Sequence, residues 1–124
     1  MIIYISHSSN FDFKTKLYEP LSEIFHSSGH SLIFPHETNK KQYPSKMLFQ
    51  KHKCDQVLAE VSYPSTGQGI ELGWADAFQI PIIGIVHIDA EISGSLSKIL
   101  SEPIRYHEVV DIKRILLVTI EAAI

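Results

Sequence analysis

The sequence predicts an α/β fold, a three-layer α/β/α sandwich around a five-stranded, mostly parallel sheet of the flavodoxin-like or Rossmann-like kind. Three observations predict it. Five short runs with strand composition, Ile2 to Ser6, Ser31 to Pro35, Asp55 to Ala59, Pro81 to His87 and Ile104 to His107, punctuate the chain. Segments whose apolar residues recur at helical spacing alternate with them, which implies parallel strands joined by crossovers with helices on both faces. The length, 124 residues, is near that of one domain and suffices to enclose a core, so residues 1–124 are expected to form a single domain.

Ile2 to Ser6 is short, β-branched and bounded by the polar turn His7-Ser-Ser-Asn10, and reads as a first, central strand. Phe13, Leu17, Leu21, Ile24 and Phe25 then follow a helical period that stops at Gly29. Pro20 interrupts this pattern. An interior proline costs a helix roughly 3 kcal/mol or more, so a kink or a delayed helix start is expected there. Ser31 to Pro35 reads as a second strand, His36 to Pro44 as a polar loop with a solvated Lys40-Lys41 pair, and Ser45 to Lys53 as a weak helix. Asp55 to Ala59 is a buried strand, Ser62 to Gly69 a loop, and Ile70 to Phe78 a helix. Pro81 to His87 forms another buried strand. Ser93 to Leu100 reads as a short serine-rich helix introduced by Gly94, and Ile104 to His107 as an edge strand. The last helix, Asp111 to Ala123, opens on Asp111 as N-cap and directs Ile115, Leu116, Thr119, Ile120 and Ala123 to the core.

Composition narrows the function. A net charge of −3 with seven histidines leaves no basic footprint for duplex nucleic acid, although a small phosphorylated ligand is compatible. The single cysteine, Cys54, closes no intrachain disulfide, and the opening Met-Ile-Ile-Tyr-Ile lacks a basic n-region followed by a signal-type apolar stretch, so a reducing cytoplasm is expected. The longest apolar run, Ile80 to Ile85, is far short of the roughly 20 residues of a membrane span. The histidines lack metal-ligand spacing, so neither a metal nor another cofactor is expected.

The chemistry concentrates in Leu58-Ala-Glu-Val-Ser-Tyr-Pro-Ser-Thr-Gly-Gln-Gly-Ile-Glu-Leu-Gly-Trp-Ala75. This stretch carries one carboxylate, Glu71, onto a helix that follows a hydroxyl- and glycine-rich turn near the carboxyl end of a strand, where open α/β sheets bind ligands. Gly67 and Gly69 let a ligand approach the backbone, and Ser65 and Thr66 add hydroxyls, so the turn suits a phosphate. Glu71 is placed in the first helical turn, where the dipole favours its ionised form. An ionised carboxylate is a competent nucleophile toward an anomeric carbon. A tight structural turn followed by a surface helix charge would account for the same residues without any chemistry.

The string Ala59 to Ala75 resembles the central motif of the nucleoside 2-deoxyribosyltransferase superfamily, in which the glutamate of a Gly-x-Glu-Leu-Gly segment is the nucleophile. That resemblance implies Glu71 as the catalytic residue. Ser65 is similar to the serine with which the 2′-deoxynucleoside 5′-phosphate N-hydrolase branch holds the 5′-phosphate, which implies a nucleotide substrate. By the same resemblance Tyr4, Ser6 and Ser8 of the first strand and loop contact base and sugar, and His36 matches a histidine at the end of the second strand. Ser97 resembles a serine that reaches the phosphate in a neighbouring subunit's site, which implies a homodimer with a shared site. Two departures stand out: Met47 lies where the family carries an aspartate that assists the departing base, and His7 and Ser8 stand where its first loop has glycine and serine, with no arginine soon after. Glu60, Asp55, His36 and Tyr4 are then the candidate acids.

The expected activity is hydrolysis of the N-glycosidic bond of a nucleoside 5′-monophosphate or a related nucleotide, or 2-deoxyribosyl transfer. Two alternatives stand beside it. Ile3-Tyr-Ile-Ser-His-Ser-Ser-Asn-Phe-Asp12 is also similar to the opening of a TIR domain, some members of which cleave NAD. The missing aspartate is compatible with a non-catalytic nucleotide-binding relative.

Overall fold

The computed structural model describes residues 1–37 and 43–123, so the Lys40-Lys41 pair lies outside the described residues. Five strands, β1 (Ile2–His7), β2 (Ser31–Ile33), β3 (Gln56–Glu60), β4 (Ile82–His87) and β5 (Ile104–Tyr106), form one sheet in the order β2-β1-β3-β4-β5. All four pairings are parallel, with Tyr4 beside Val57, Ala59 beside Gly84 and Val86 beside Arg105. The expected sheet is therefore present and wholly parallel. β1 is internal, but the middle place belongs to β3, all five residues of which are buried, as a strand covered on both faces must be.

Helices α1 (Glu19–Phe25) and α4 (Lys113–Ala122) cover one face, packing Leu21, Ile24, Leu116 and Ile120 on Ile3, Ile5, Leu58 and Ile85. Helices α2 (Ser45–Gln50) and α3 (Thr66–Ala77) cover the other, packing Phe49, Leu72 and Ala75 on Tyr4, Val57, Ala59 and Val86. Each fully buried aliphatic or aromatic side chain in these layers contributes roughly 1.5–3 kcal/mol.

Pro20 has the expected effect. Residues Lys14–Tyr18 form a π-helical turn, and the Glu19 N–H reaches back five residues to the Lys14 carbonyl before α1 begins. Pro20 then sits in the first turn of α1, directly behind the wide turn that has already displaced the ladder from its ordinary spacing. Gly29 ends the segment with φ +81°, the left-handed backbone expected at a helix stop.

Three sequence expectations need correction. α3 begins at Thr66, not Ile70, because Ser65 is an extended N-cap (φ −154°, ψ 124°) whose Oγ accepts the Gln68 N–H at 3.3 Å. Ser93 to Leu100 is no α-helix: only a 3₁₀ turn, Leu96–Lys98, forms, and Ser97 Oγ donates to the Gly94 carbonyl at 2.6 Å. Such short side-chain bonds compete with a helical ladder. The last helix is preceded by a 3₁₀ turn, Val109–Ile112, and Asp111 is the inner member of a capping box with Glu108 rather than an N-cap. Ile112, Leu116 and Ile120 therefore form the buried stripe, while Ile115 is 53% exposed and Ala123 also faces outward.

Candidate active site

The chain runs from β1 outward to β2 and then back across to β3, so the crevice between their carboxyl ends is the topological switch point where α/β folds bind ligands. A cleft of about 320 Å³ opens there. Tyr4, His7 and Ser9 line it from β1 and its loop, Pro35 and His36 from the loop after β2, and Tyr43 and Ser45 from the approach to α2. α3 supplies the opposite wall with Ser65, Gly67, Gln68, Ile70, Glu71 and Trp74.

Glu71 is half-buried, and its Oε2 accepts the Tyr4 hydroxyl proton at 2.8 Å. Tyr4 is buried beneath it between Tyr43 and Phe49, with ring centroids 5.6 and 5.3 Å away. Burial, reinforced by the Glu71 charge, pushes the Tyr4 hydroxyl far above a tyrosine's ordinary range, so it stays a donor. One carboxylate oxygen is thus held while Oε1 carries no protein bond among the described residues. Glu71 is the sixth residue of α3, not in its first turn, so the dipole argument applied to it loses most of its force, while packing and the Tyr4 bond set its orientation.

The first turn of α3 is open. The earliest amide engaged by the helix ladder is Gly69 N–H, which donates to the Ser65 carbonyl at 3.0 Å, so Thr66 and Gly67 precede it. Gly69 is consequently unavailable as an anion donor and lies off the cleft, contrary to its expected role. A Cβ at Gly67 would come no nearer than 4.0 Å to Ser65 Oγ, so the fold itself makes no steric demand for glycine there, and its bareness serves the cleft.

A second network fixes the other wall. His7 Nδ1 lies 2.7 Å from the Ser8 carbonyl and must donate to it, which leaves Nε2 as an acceptor for the Tyr18 hydroxyl at 2.6 Å. Tyr18 Oη in turn accepts the His36 backbone N–H at 3.1 Å. Burial drives His7 down to about 4, keeping the ring neutral, and burial raises Tyr18 to about 12. Phe13 packs on both imidazoles, 4.5 Å from His7 and 5.4 Å from His36. Loops are clasped across the mouth by the Phe11–Tyr63 stack at 4.6 Å and by Asn10 Nδ2, 3.5 Å from the Pro64 carbonyl.

Of the expected contacts, Tyr4, His36, Ser65, Gly67 and Glu71 meet in this cleft. Ser6 and Ser8 do not: both are buried, Ser6 Oγ finds no partner among the described residues, and Ser8 Oγ accepts the Asn10 N–H at 3.0 Å. Ser9, one residue on, takes the wall position instead. Ser97 is exposed and off the cleft. Asp55 bonds the Ile2 amide at the opposite end of the sheet. Glu60 is buried, receives protons from Ser62 N, Ser62 Oγ and Tyr106 Oη, and is raised above the ordinary carboxylate range by burial. It tethers the loop that leads into α3, because Ser62 Oγ also accepts the His87 N–H at 2.7 Å. Trp74 was not foreseen, yet its spacing from Gly67 and Glu71, seven and three residues, is that of one helical face.

No protein-family model matches the chain. Over 39 residues it is 46% identical to a putative 2′-deoxynucleoside 5′-phosphate N-hydrolase of Syntrophotalea carbinolica, a match that spans 32% of this chain and only 28% of that protein. Among solved structures it superposes on the CMP N-glycosidase of Clostridium botulinum with a TM-score of 0.66, at 20% identity over 94% of this chain and 98% of the other. The 2-deoxyribosyltransferase of Bacillus psychrosaccharolyticus gives a TM-score of 0.63 at 15% identity, covering 92% and 91%. The chain shares the fold of these two enzymes. Met47 is 54% exposed and off the cleft, and Ser45 is the α2 residue on its wall. Among the described residues no helix is long and apolar enough to cross a membrane, and no three His, Cys, Asp or Glu side chains gather as a metal site.

Proposed function

We propose that this chain hydrolyses the N-glycosidic bond of a nucleoside 5′-monophosphate. The observation that carries the proposal is the pairing of Tyr4 with Glu71 on the wall of a cleft whose other end is the open first turn of α3. Glu71 Oε1 attacks C1′ as the C1′–N bond breaks, and water then releases the sugar phosphate from the glycosyl-enzyme. Ser65 Oγ and the Gly67 amide hold the phosphate, where the helix dipole favours an anion. Tyr4, His36 and Ser9 face base and sugar. The short curated match, to a protein named for hydrolysis of a deoxynucleotide, supports a nucleotide over a nucleoside.

The active unit is proposed to be a cytoplasmic homodimer. A groove between α3 and the 3₁₀ turn, lined by Ile70, Gly73, Leu96 and Ile99, adjoins the cleft and offers the surface on which a second copy would bring Ser97 toward the phosphate. Incubation with a panel of ribo- and deoxyribonucleoside monophosphates, followed by chromatography of the free base, tests the activity. Base release that disappears in Glu71→Gln is expected. Release from no nucleotide, or undiminished release by the variant, overturns the proposal. Nicotinamide release from NAD alone would favour the TIR-like alternative, and calorimetric binding of nucleotides without turnover the non-catalytic one.

A further inference from the structure

A base that leaves a sugar departs far more readily when it is protonated, and few groups of the cleft can supply that proton. Resting on the hydrolase reading above, the choice follows from where each proton already is. The Tyr4 proton lies between its oxygen and Glu71 Oε2, and Glu71 is the nucleophile. His7 directs Nδ1–H into the Ser8 carbonyl and uses Nε2 to accept from Tyr18, so its protons are committed to the protein. The same bond engages the Tyr18 proton. Glu60 belongs to the Tyr106–Ser62 network away from the cleft, and Asp55 lies at the opposite end of the sheet. Of the imidazoles and carboxylates, His36 remains: it is exposed on the cleft wall, and among the described residues no hydrogen bond engages its ring.

We infer that His36 is the proton donor to the departing base. Its backbone is pinned by the Tyr18 hydroxyl, and its ring lies 5.0 Å from that of His7 and 5.4 Å from that of Phe13. Two imidazolium ions at that separation would repel each other. The bonds made by His7 keep its own ring neutral, so no like charge beside it opposes a proton carried by His36. As the Glu71 Oε1–C1′ bond forms, the electron pair of the C1′–N bond passes to the base nitrogen system, which takes the proton from the His36 imidazolium. The imidazole left behind accepts a proton from the water that attacks C1′ and releases Glu71, which restores the starting state.

Among the described residues, the groups that face His36 are His7 from β1, Tyr18 from the π-helical turn, Tyr4 and Glu71 across the cleft, Tyr43 before α2, and Glu37 beside it in the chain. The test compares wild type, His36→Ala and His36→Asn, as full chains, on two substrates: a nucleoside 5′-monophosphate, and 4-nitrophenyl 2-deoxyribose 5-phosphate, whose leaving group needs no proton. Both variants are expected to lose about 10²–10⁴-fold in kcat on the nucleotide. On the nitrophenyl substrate, whose leaving group takes no proton, their loss should be much the smaller of the two. Unchanged nucleotide kcat, equal loss on both substrates, or a loss confined to KM overturns the assignment of His36 while leaving the hydrolase reading standing. Wild type inert on both substrates overturns that reading and this one with it.

Discussion

Acidification from pH 7 to pH 4 tests the tautomer assigned to His7. In the folded chain its ring donates to the Ser8 carbonyl and accepts from Tyr18, and a second ring proton at Nε2 would meet the Tyr18 proton head-on. Burial lowers this histidine to about 4, against an ordinary 6.5. The unfolded chain therefore binds the proton first as pH falls, so the contribution to stability is complete above pH 6.5 and is lost as pH drops through about 4. At 1.36 kcal/mol per pH unit, the interval is worth about 3 kcal/mol. That is a large share of the roughly 5–15 kcal/mol typical of a domain. Glu60 works in the opposite sense, since burial raises it, so wild type alone does not isolate the effect. Urea unfolding of wild type and His7→Gln at half-unit pH steps does: the gap between their unfolding free energies should close by about 3 kcal/mol between pH 7 and 4. Parallel curves would refute the assignment. So would an NMR titration of the wild-type ring with a midpoint near 6.5, a measurement that needs no variant to fold.

Tyr4→Phe removes the one hydroxyl that, among the described residues, is bound to Glu71; hydrogen bonds to charged groups are worth about 1.5–3 kcal/mol, so kcat for base release should fall about 10- to 100-fold with the fold intact by circular dichroism. Ser65→Ala loses the α3 N-cap and should lower unfolding free energy by about 1 kcal/mol, while raising KM for the monophosphate and leaving that for the matching nucleoside unchanged. Glu60→Gln keeps the shape of the buried side chain without its charge. Because the raised carboxyl group holds its proton longer in the folded chain, wild-type stability should decline with rising pH above the ordinary carboxylate range, and the variant's denaturation midpoint should not.

The sheet and its helices were legible because each depends on local pattern: β-branched runs for strands, and the 21-24-25 spacing for α1. The place of Glu71 on the cleft wall was legible for the same reason, as a lone carboxylate behind a hydroxyl-rich turn. The misplacements have equally local causes. Gly67 and Gly69 read as loop, but the Ser65 cap begins the helix before them, which moves Glu71 inward and commits the Gly69 amide. Helical phase in α4 is set by Ile112, in a turn that the Glu108–Asp111 box creates, and the sequence pattern alone put Ile115 on the wrong side. Adjacent serines in the first loop are chemically interchangeable, so only tertiary packing separates Ser8, turned inward, from Ser9 on the cleft. The His7–Tyr18–His36 linkage joins residues 11 and 18 apart through a single oxygen, and no periodicity encodes such a junction.

The π-helical turn at Lys14–Tyr18 makes the aim of one hydroxyl a matter of arithmetic along the backbone. Each residue of an ordinary helix advances about 100° around its axis. Deleting a single residue ahead of Tyr18 would let the ladder close at standard spacing and turn the Tyr18 phenol, with the helix that follows it, by about 100° relative to the chain that leads in from His7. Both histidines would lose their common mooring at once, although every side chain named in the cleft would still be present. In this protein, substitutions that respect chain length in that segment should be tolerated far better than the smallest change of length.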